Sequence, residues 1–418
     1  MDVRIEPQKL SGSITAIPSK SYAQRILIAA VLSDAPTVVL IDYLSDDVRA
    51  TIDALRAMGA SLEDYSDRVL VNPIASFPEG IPAAPTVDCR ESGTAARLLL
   101  PVLTARFDAG TLTGIGSLMS RPFDTLCESI ARPPQLQFDQ MQLPISWSGK
   151  LVAGDYQLPG NISSQYLSGL LFALPLLAGD STITLTTKLE SAGYVDMTLD
   201  VLQRFGIQVE TTPNKEVDDA LIYHVPGGQT YVSPTQIAVE GDWSNSAFWL
   251  AADVEVTGLK PDSLQRDRQF ALMRSRKTVN ATDIPDLVPI LAVSAALTDR
   301  TTRFLGLGRL RLKESNRIET TLAMMTQLGV KTEHVDRGAN TFNETDQHSD
   351  EIYVYGDDRI PGGDTVDGAN DHRIVMAAAI AGSLAQKPVT ITGADAVNKT
   401  YPRFFEDFQK LGGVVHVI

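Results

Sequence analysis

Cysteine and histidine are scarce in this chain of 418 residues, with two of the former, Cys89 and Cys127, and five of the latter. Two cysteines cannot build a disulfide framework, so a reducing, cytoplasmic compartment is expected. No HxxxH or CxxC pair gives metal-ligand spacing. The glycine-rich pieces also miss the phosphate-loop and dinucleotide fingerprints. Neither a metal nor a cofactor is expected. Long apolar runs are missing as well: the most apolar, Leu167 to Ala178, is about a dozen residues and contains Pro175, too short for a bilayer and suited to a buried helix. The opening Met1 to Glu6 has no apolar stretch of the kind a secretory signal needs. Positive charge is in the minority, 36 Lys and Arg against 51 Asp and Glu, a net charge of -15. A nucleic-acid binder needs a broad basic face, which this balance disfavours.

What positive charge there is falls in short segments spread along the whole length: Ser19-Lys20-Ser21-Tyr22-Ala23-Gln24-Arg25, Ser120-Arg121-Pro122, Lys313-Glu314-Ser315-Asn316-Arg317, Asn370-Asp371-His372-Arg373 and Asn398-Lys399-Thr400. Lys and Arg beside hydroxyls and amides hold phosphates and carboxylates through charge-assisted hydrogen bonds. Basic focal points in an acidic body point to a cleft for small, multiply charged anions.

A pattern recurs between these segments. An amphipathic helix ends in Leu-Gly-small and a β-rich stretch follows, over Val48 to Ala60, Val195 to Ile207, Ile318 to Val330 and Arg403 to Val414. Apolar residues fall at i, i+3, i+4 and i+7, and the glycine stands where a helix needs a left-handed cap. Degraded copies at Pro122 to Ala131 and Asp267 to Arg276 bring the expected count to six units. Runs such as Ser181 to Thr187 and Pro388 to Thr392 supply the strands. Around Arg132-Pro133-Pro134 the helix–glycine ending is missing, so a shortened strand segment is expected there. Six mixed units in two groups of three predict two similar α/β domains, with the chain crossing near Val232-Ser233-Pro234-Thr235. The expected division is residues 1–18 plus 235–418 against residues 19–234.

Taken singly, each basic segment has an ordinary structural reading. Ser19-Lys20-Ser21 precedes the apolar helix of Ile26 to Val31, where a helix N-terminus receives anions, yet either serine could be a plain cap. Glu91-Ser92-Gly93-Thr94 leads into another apolar helix, and Gly93 lets a ligand approach the backbone. Asn161-Ile162-Ser163-Ser164-Gln165 puts more polar side chains at a helix start than capping alone needs. Lys313 and Arg317 share one helical face at i and i+4. At the head of a buried helix, Asn370-Asp371-His372-Arg373 is unusual, and a capping or core role for His372 is favoured over proton transfer.

In order along the chain, SKSYAQR at Ser19, SGTAAR at Ser92, SRP at Ser120, SSQ at Ser163, SAGYVDMT at Ser191, IPD at Ile284, LKESNR at Leu312, NDHR at Asn370 and NKTYPRFF at Asn398 together resemble the enolpyruvyl transferase family, and within it the members acting on shikimate 3-phosphate. The resemblance covers essentially the whole chain. It implies two α/β domains, each of three βαβαββ units about a pseudo-threefold axis in an inside-out barrel, with the active site between them. It also implies transfer of the enolpyruvyl group of phosphoenolpyruvate (PEP) to the 5-hydroxyl of shikimate 3-phosphate, a step of the shikimate pathway toward chorismate and the aromatic amino acids. Catalysis without a cofactor, by a cytoplasmic monomer free of membrane and nucleic acid, goes with this resemblance. Carried over residue by residue, it gives PEP to Lys20, Gly93, Arg121, Gln165, Arg317, Arg373 and Lys399. Shikimate 3-phosphate falls to Lys20, Ser21, Arg25, Ser163, Ser164, Gln165, Ser191, Tyr194, Asp286 and Lys313. The catalytic set is Lys20, Asp286 as base for the 5-hydroxyl, and Glu314 as proton carrier at C3 of PEP.

Three positions depart from the family pattern. Glu91 stands where many members have Asn, and a carboxylate beside the PEP phosphate would repel it, so it is expected to turn away. Arg309 occupies a place where some members use Asn, and no role is assigned to it. Asn316 replaces the usual Asp of the KESDR motif. The nearest rival reading is enolpyruvyl transfer to a UDP-amino sugar. That group commonly carries a reactive Cys five residues before the Arg-Pro step, where this chain has Gly116, and Cys127 lies on the wrong side. RNA 3'-phosphate cyclization on a related fold is disfavoured by the net charge. A non-catalytic repeat scaffold would have no need of Asp286 and Glu314 among cations.

Overall fold

Helices Asp46–Ala57, Ala192–Arg204, Arg317–Gln327 and Phe404–Lys410 end on the same device. The computed structural model describes residues 1–74, 82–132, 134–335 and 350–418, and in it Gly59, Gly206, Gly329 and Gly412 take φ values of +98°, +78°, +78° and +91°. One residue further on, a backbone N–H turns back to a helix carbonyl: Ala60 to Leu55, Ile207 to Leu202, Val330 to Met325 and Gly413 to Phe408. These bonds satisfy carbonyls the helix would otherwise leave open, and only glycine holds such a φ without a Cβ penalty. The shared ending, a large apolar residue and then Gly (Met58-Gly59, Phe205-Gly206, Leu328-Gly329, Leu411-Gly412), is therefore a helix stop.

Each stop occupies the same place in a repeated βαβαββ unit. In the segment 86–149, strand Thr86–Asp88 crosses through helix Gly93–Arg106 to the parallel strand Ala109–Thr113. Helix Asp124–Ile130 and the antiparallel strands Leu136–Phe138 and Ile145–Gly149 complete the sheet. Parallel neighbours need a crossover of this kind, whereas antiparallel ones close by short turns. The segment 155–225 repeats it with strands Asp155–Leu158, Ser181–Leu185, Glu210–Pro213 and Leu221–Val225. Thr278–Asn280, Thr301–Leu305, Thr332–Val335 and Glu351–Tyr355 do so again.

Two further units are closed by strands from distant parts of the chain. Gln236–Ala238 lies parallel to Thr37–Leu40 and completes the sheet containing Ser61–Asp64 and Arg68–Asn72. Val3–Glu6 inserts between Val389–Thr392 and Val414–Val417, with Thr365–Asp367 at the edge. The sixth unit is cut short. Ser13–Thr15 and Glu255–Thr257 pair in parallel around helix Trp243–Ala251, and the short helix Phe270–Met273 follows without the two antiparallel strands. The shortening expected near Arg132 is slight: Leu136–Phe138 has three residues but its sheet is complete. Pro133 lies outside the described residues.

By contact the chain divides into two units, residues 1–17 with 240–418, and residues 18–239. The crossing lies a few residues beyond Val232 to Thr235 because Gln236–Ala238 is held by Val38 to Leu40 in the second unit. In each unit three helices are buried almost all round: Lys20–Leu32, Gly93–Arg106 and Ser164–Ala173 in one, Trp243–Ala251, Val288–Ala296 and His372–Ser383 in the other. The sheets lie outside them and alternate buried and exposed residues, as in the BiBiB pattern of Ser181–Leu185. Helices inside and sheets outside make an inverted α/β barrel. Pro175 stands in the 3-10 turn Leu174–Leu176 that follows helix Ser164–Ala173, and among the described residues no helix is long and apolar enough to cross a membrane. Cys89 and Cys127 are buried and unbridged, and burial pushes the Cys127 thiol up to about 12.

Candidate active site

The heads of the buried helices carry about half of the residues singled out from the sequence, among them Lys20, Ser21, Gly93, Ser163, Ser164, Gln165 and Arg373. Free N–H groups and the positive end of the helix dipole gather there, which favours anions. In the unit of residues 18–239, Ser19, Ser92 and Ser163 are the caps, accepting from the N–H of Tyr22, Ala95 and Gln165. Lys20, Gly93 and Ser164 are then the first helical residues.

Hydrogen bonds tie these heads together. Gln24 Nε2 donates to Ser92 Oγ at 3.0 Å and to Thr51 Oγ1 at 2.9 Å. Gln165 Nε2 donates to Thr94 Oγ1 at 2.8 Å, and its Oε1 accepts from Arg97 at 3.0 Å. Arg25 Nε donates to Thr198 Oγ1 at 2.8 Å, Thr198 donates to Ser168 Oγ at 2.8 Å, and Arg25 Nη1 reaches the Ser21 carbonyl. Lys20 and Asp47 form an ion pair of 2.8 Å. Arg121 lies against Gly93 so closely that a Cβ there would be 2.5 Å from its Nη1. Tyr194 places its ring under the Arg25 guanidinium, 5.9 Å away. Ser191 stands at the cap position of helix Ala192–Arg204 in a left-handed conformation, φ +54°. Burial draws the Arg25 guanidinium down to about 10. One of its nitrogens, Nη2, is buried with no partner. A buried donor left unsatisfied is costly, and an anion accepting from it would remove that cost.

The second unit gathers the acids. Arg317, 1% exposed, receives Asp286 on Nη1 at 2.6 Å, Glu314 on Nη2 at 2.6 Å and Asp371 on Nε at 2.7 Å. Burial opposes the charge on Arg317, but the three carboxylates outweigh it and hold its pKa well above the usual value. Lys313 approaches Asp286 at 3.2 Å, and burial lowers its pKa against the pull of that carboxylate. Arg373 Nη2 is 3.9 Å from Asp286, its ring neighbour is Phe248 at 5.8 Å, and its Nε and Nη1 are buried without a partner. Lys399 donates to the Asn370 carbonyl at 2.8 Å. Asp371 caps helix His372–Ser383, and His372 is buried at its first position.

Within each unit, then, the sequence-derived residues come together: Lys20, Ser21, Arg25, Gly93, Arg121, Ser163, Ser164, Gln165, Ser191 and Tyr194 in one, Asp286, Lys313, Glu314, Arg317, Arg373 and Lys399 in the other. Arg317 differs from the other cations in spending every guanidinium nitrogen on carboxylates. Sequence reasoning missed Asp47, Arg97, Asp267 and the ion pairing of Asp371. Arg97 had a signal, an arginine four residues into an apolar helix. Asp267 had none in its local pattern. It is 4% exposed, accepts a hydrogen bond from Ser244, and is pushed up to about 7 by burial and then by Asp286. Among the described residues no cluster could hold a metal ion.

The whole chain has relatives of known kind. The family model described as EPSP synthase (3-phosphoshikimate 1-carboxyvinyltransferase) matches residues 5–276 and 273–408. The 3-phosphoshikimate 1-carboxyvinyltransferases of Clostridium novyi and Clostridium acetobutylicum are 34% and 35% identical, each match covering 99% of this chain and 98% of the relative. EPSP synthase from Acinetobacter baumannii has the same fold, with a TM-score of 0.77 over 100% of both chains at 23% identity. So has the enolpyruvyl transferase NikO from Streptomyces tendae, with a TM-score of 0.74 over 99% of this chain and 98% of that one at 15% identity. With relatives aligned from end to end and the family's motifs at the helix heads, the chain belongs to the EPSP synthase family.

Proposed function

We propose that this chain transfers the enolpyruvyl group of PEP to the 5-hydroxyl of shikimate 3-phosphate, giving 5-enolpyruvylshikimate 3-phosphate and inorganic phosphate. The observation that carries the reading is the cluster around Arg317, in which Asp286 and Glu314 are fixed beside Lys313 and Arg373. The reaction needs a base for the hydroxyl and an acid for C3 of PEP, close to groups that bind anions. Asp286 would take the proton of the 5-hydroxyl as that oxygen attacks C2 of PEP. Glu314 would give a proton to C3, and the same carbon returns one when the tetrahedral adduct expels phosphate. Lys20, Gly93, Arg121, Gln165, Arg373 and Lys399 are assigned to the phosphate and carboxylate of PEP. Lys20, Ser21, Arg25, Ser163, Ser164, Gln165, Ser191, Tyr194 and Lys313 are assigned to shikimate 3-phosphate. The buried, unpartnered nitrogens of Arg25 and Arg373 support this division, since each offers donors to an incoming anion.

Arg317 is assigned a different part from the other cations. With its nitrogens already engaged, it holds Asp286 and Glu314 in place, and any contact with the PEP carboxylate is made by a guanidinium shared with them. Asp286, Glu314 and Arg317 belong to the unit of residues 1–17 with 240–418, and Arg25 to the unit of residues 18–239. A monomer acting in the cytoplasm fits this reading. The test is phosphate release with PEP plus shikimate 3-phosphate against PEP plus UDP-N-acetylglucosamine. Release with the first pair alone is expected, and release with the second alone would overturn the assignment.

A further inference from the structure

The side chain of Glu91 closes a ring that sequence comparison leaves unexplained. Its Oε1 accepts the backbone N–H of Ser117 at 3.2 Å, in the first turn of the 3-10 segment Gly116–Ser120. That segment ends on Arg121, whose N–H returns to the Leu118 carbonyl at 3.1 Å. The Arg121 guanidinium then packs on Gly93, two residues beyond Glu91. One short turn, Glu91-Ser92-Gly93, thus grips both the beginning and the end of the loop that carries Arg121. Gly116 makes the grip possible. It sits at φ +58°, and a Cβ on it would run into Glu91 Oε1. The carboxylate lies in the space a side chain at position 116 would need, and its bond to the Ser117 N–H is charge-assisted.

Building on the proposed function, we propose that Glu91 is a positioning residue for PEP, acting through the Gly116–Ser120 segment to set Arg121 against Gly93. The pairing of Glu91 with Gly116 also makes position 116 intolerant of a side chain while Glu91 holds Ser117.

The test is a kinetic comparison of Glu91→Ala, Glu91→Gln, Gly116→Ala and the Glu91→Ala/Gly116→Ala double variant, with PEP varied at saturating shikimate 3-phosphate and the reverse. Glu91→Ala should raise KM for PEP about tenfold, the scale of a lost charge-assisted hydrogen bond, while kcat and KM for shikimate 3-phosphate change by about twofold or less. Glu91→Gln keeps an oxygen for the Ser117 N–H and should recover most of the PEP affinity. Gly116→Ala should raise KM for PEP by itself, and the double variant should be no worse than the worse single, because both lesions break one contact. An unchanged or lowered KM for PEP in Glu91→Ala overturns the assignment. So does an equal rise in both KM values, a Glu91→Gln variant as impaired as Glu91→Ala, or multiplying effects in the double variant. An inactive wild type would instead count against the proposed function, so the two failures are distinguishable.

Discussion

Arg317 sets the terms for its neighbours at the scale of single residues. A buried guanidinium with a carboxylate on each side fixes Asp286 and Glu314 in position, and removing one whole acid would leave charge uncompensated. Isosteric variants separate chemistry from packing. Asp286→Asn and Glu314→Gln should each lower turnover by about 10²- to 10⁴-fold, the usual scale for a general base or acid, with thermal melting close to wild type. They should differ in exchange of solvent deuterium into the methylene of PEP, which needs the C3 proton carrier and not the hydroxyl base. If Glu314→Gln exchanges at the wild-type rate, Glu314 serves only as a partner of Arg317. Asp267 gives a prediction in stability. Its folded pKa, about 7, lies above that of an unfolded aspartate, about 4, so between these values the native state holds a proton the unfolded chain has lost. That contribution is present at low pH and falls as pH rises through this window. Asp267→Asn removes the penalty, so its melting temperature relative to wild type should climb between pH 5 and pH 8; a flat difference would mean the carboxyl is not held protonated. Of these residues, Asp286 and Glu314 were legible in the sequence because they sit inside recognisable motifs. Asp267 was not, because its burial depends on helix Trp243–Ala251 packing above it.

At the scale of elements, the helix stops were readable because they are local: an apolar period followed by Gly states where a helix ends and at which φ. The buried helices were readable for the same reason, since Ile26 to Val31 and Leu98 to Val102 leave no polar face. What could not be read was the loss of two strands from the sixth unit and the borrowing of Gln236–Ala238 and Val3–Glu6 by remote sheets. Pairing partners far apart in sequence leave no periodic trace, and a missing hairpin resembles a long loop. The helix heads yield a further prediction at Gly93. Its φ is not positive, and the atom a methyl would meet is the tip of Arg121, a flexible side chain. Gly93→Ala should therefore fold as wild type does, with a melting temperature within a few degrees. It should push Arg121 aside and raise KM for PEP more than KM for shikimate 3-phosphate. Equal effects on the two substrates would remove Arg121 from the PEP set.

On the scale of the whole molecule, the chain passes from one unit to the other only at Ile17–Pro18 and Val239–Glu240. Among the described residues, every strand of 18–239 finds its partners inside that segment, because Gln236–Ala238 returns to close the sheet begun by Thr37–Leu40. Its core is continuous from Tyr22 to Ile237. A segment of this length can bury its own core, and no sheet edge is opened by cutting at the two crossings. Residues 18–239 produced alone should fold cooperatively, with a single melting transition by circular dichroism. The fragment keeps Arg25, Ser163, Ser164, Gln165 and Tyr194 but lacks Asp286, Glu314 and Arg317. It should therefore be stabilised by shikimate 3-phosphate, since a ligand that binds only the folded form raises its melting temperature, and it should release no phosphate from PEP. The other unit offers no such experiment, because its sheet is completed by Val3–Glu6 from the far side of residues 18–239. A fragment that folds without a shift on adding shikimate 3-phosphate would locate the main contacts to that substrate among Asp286, Lys313 and their neighbours instead. A fragment that does not fold would show that residues 18–239 depend on the rest of the chain for stability.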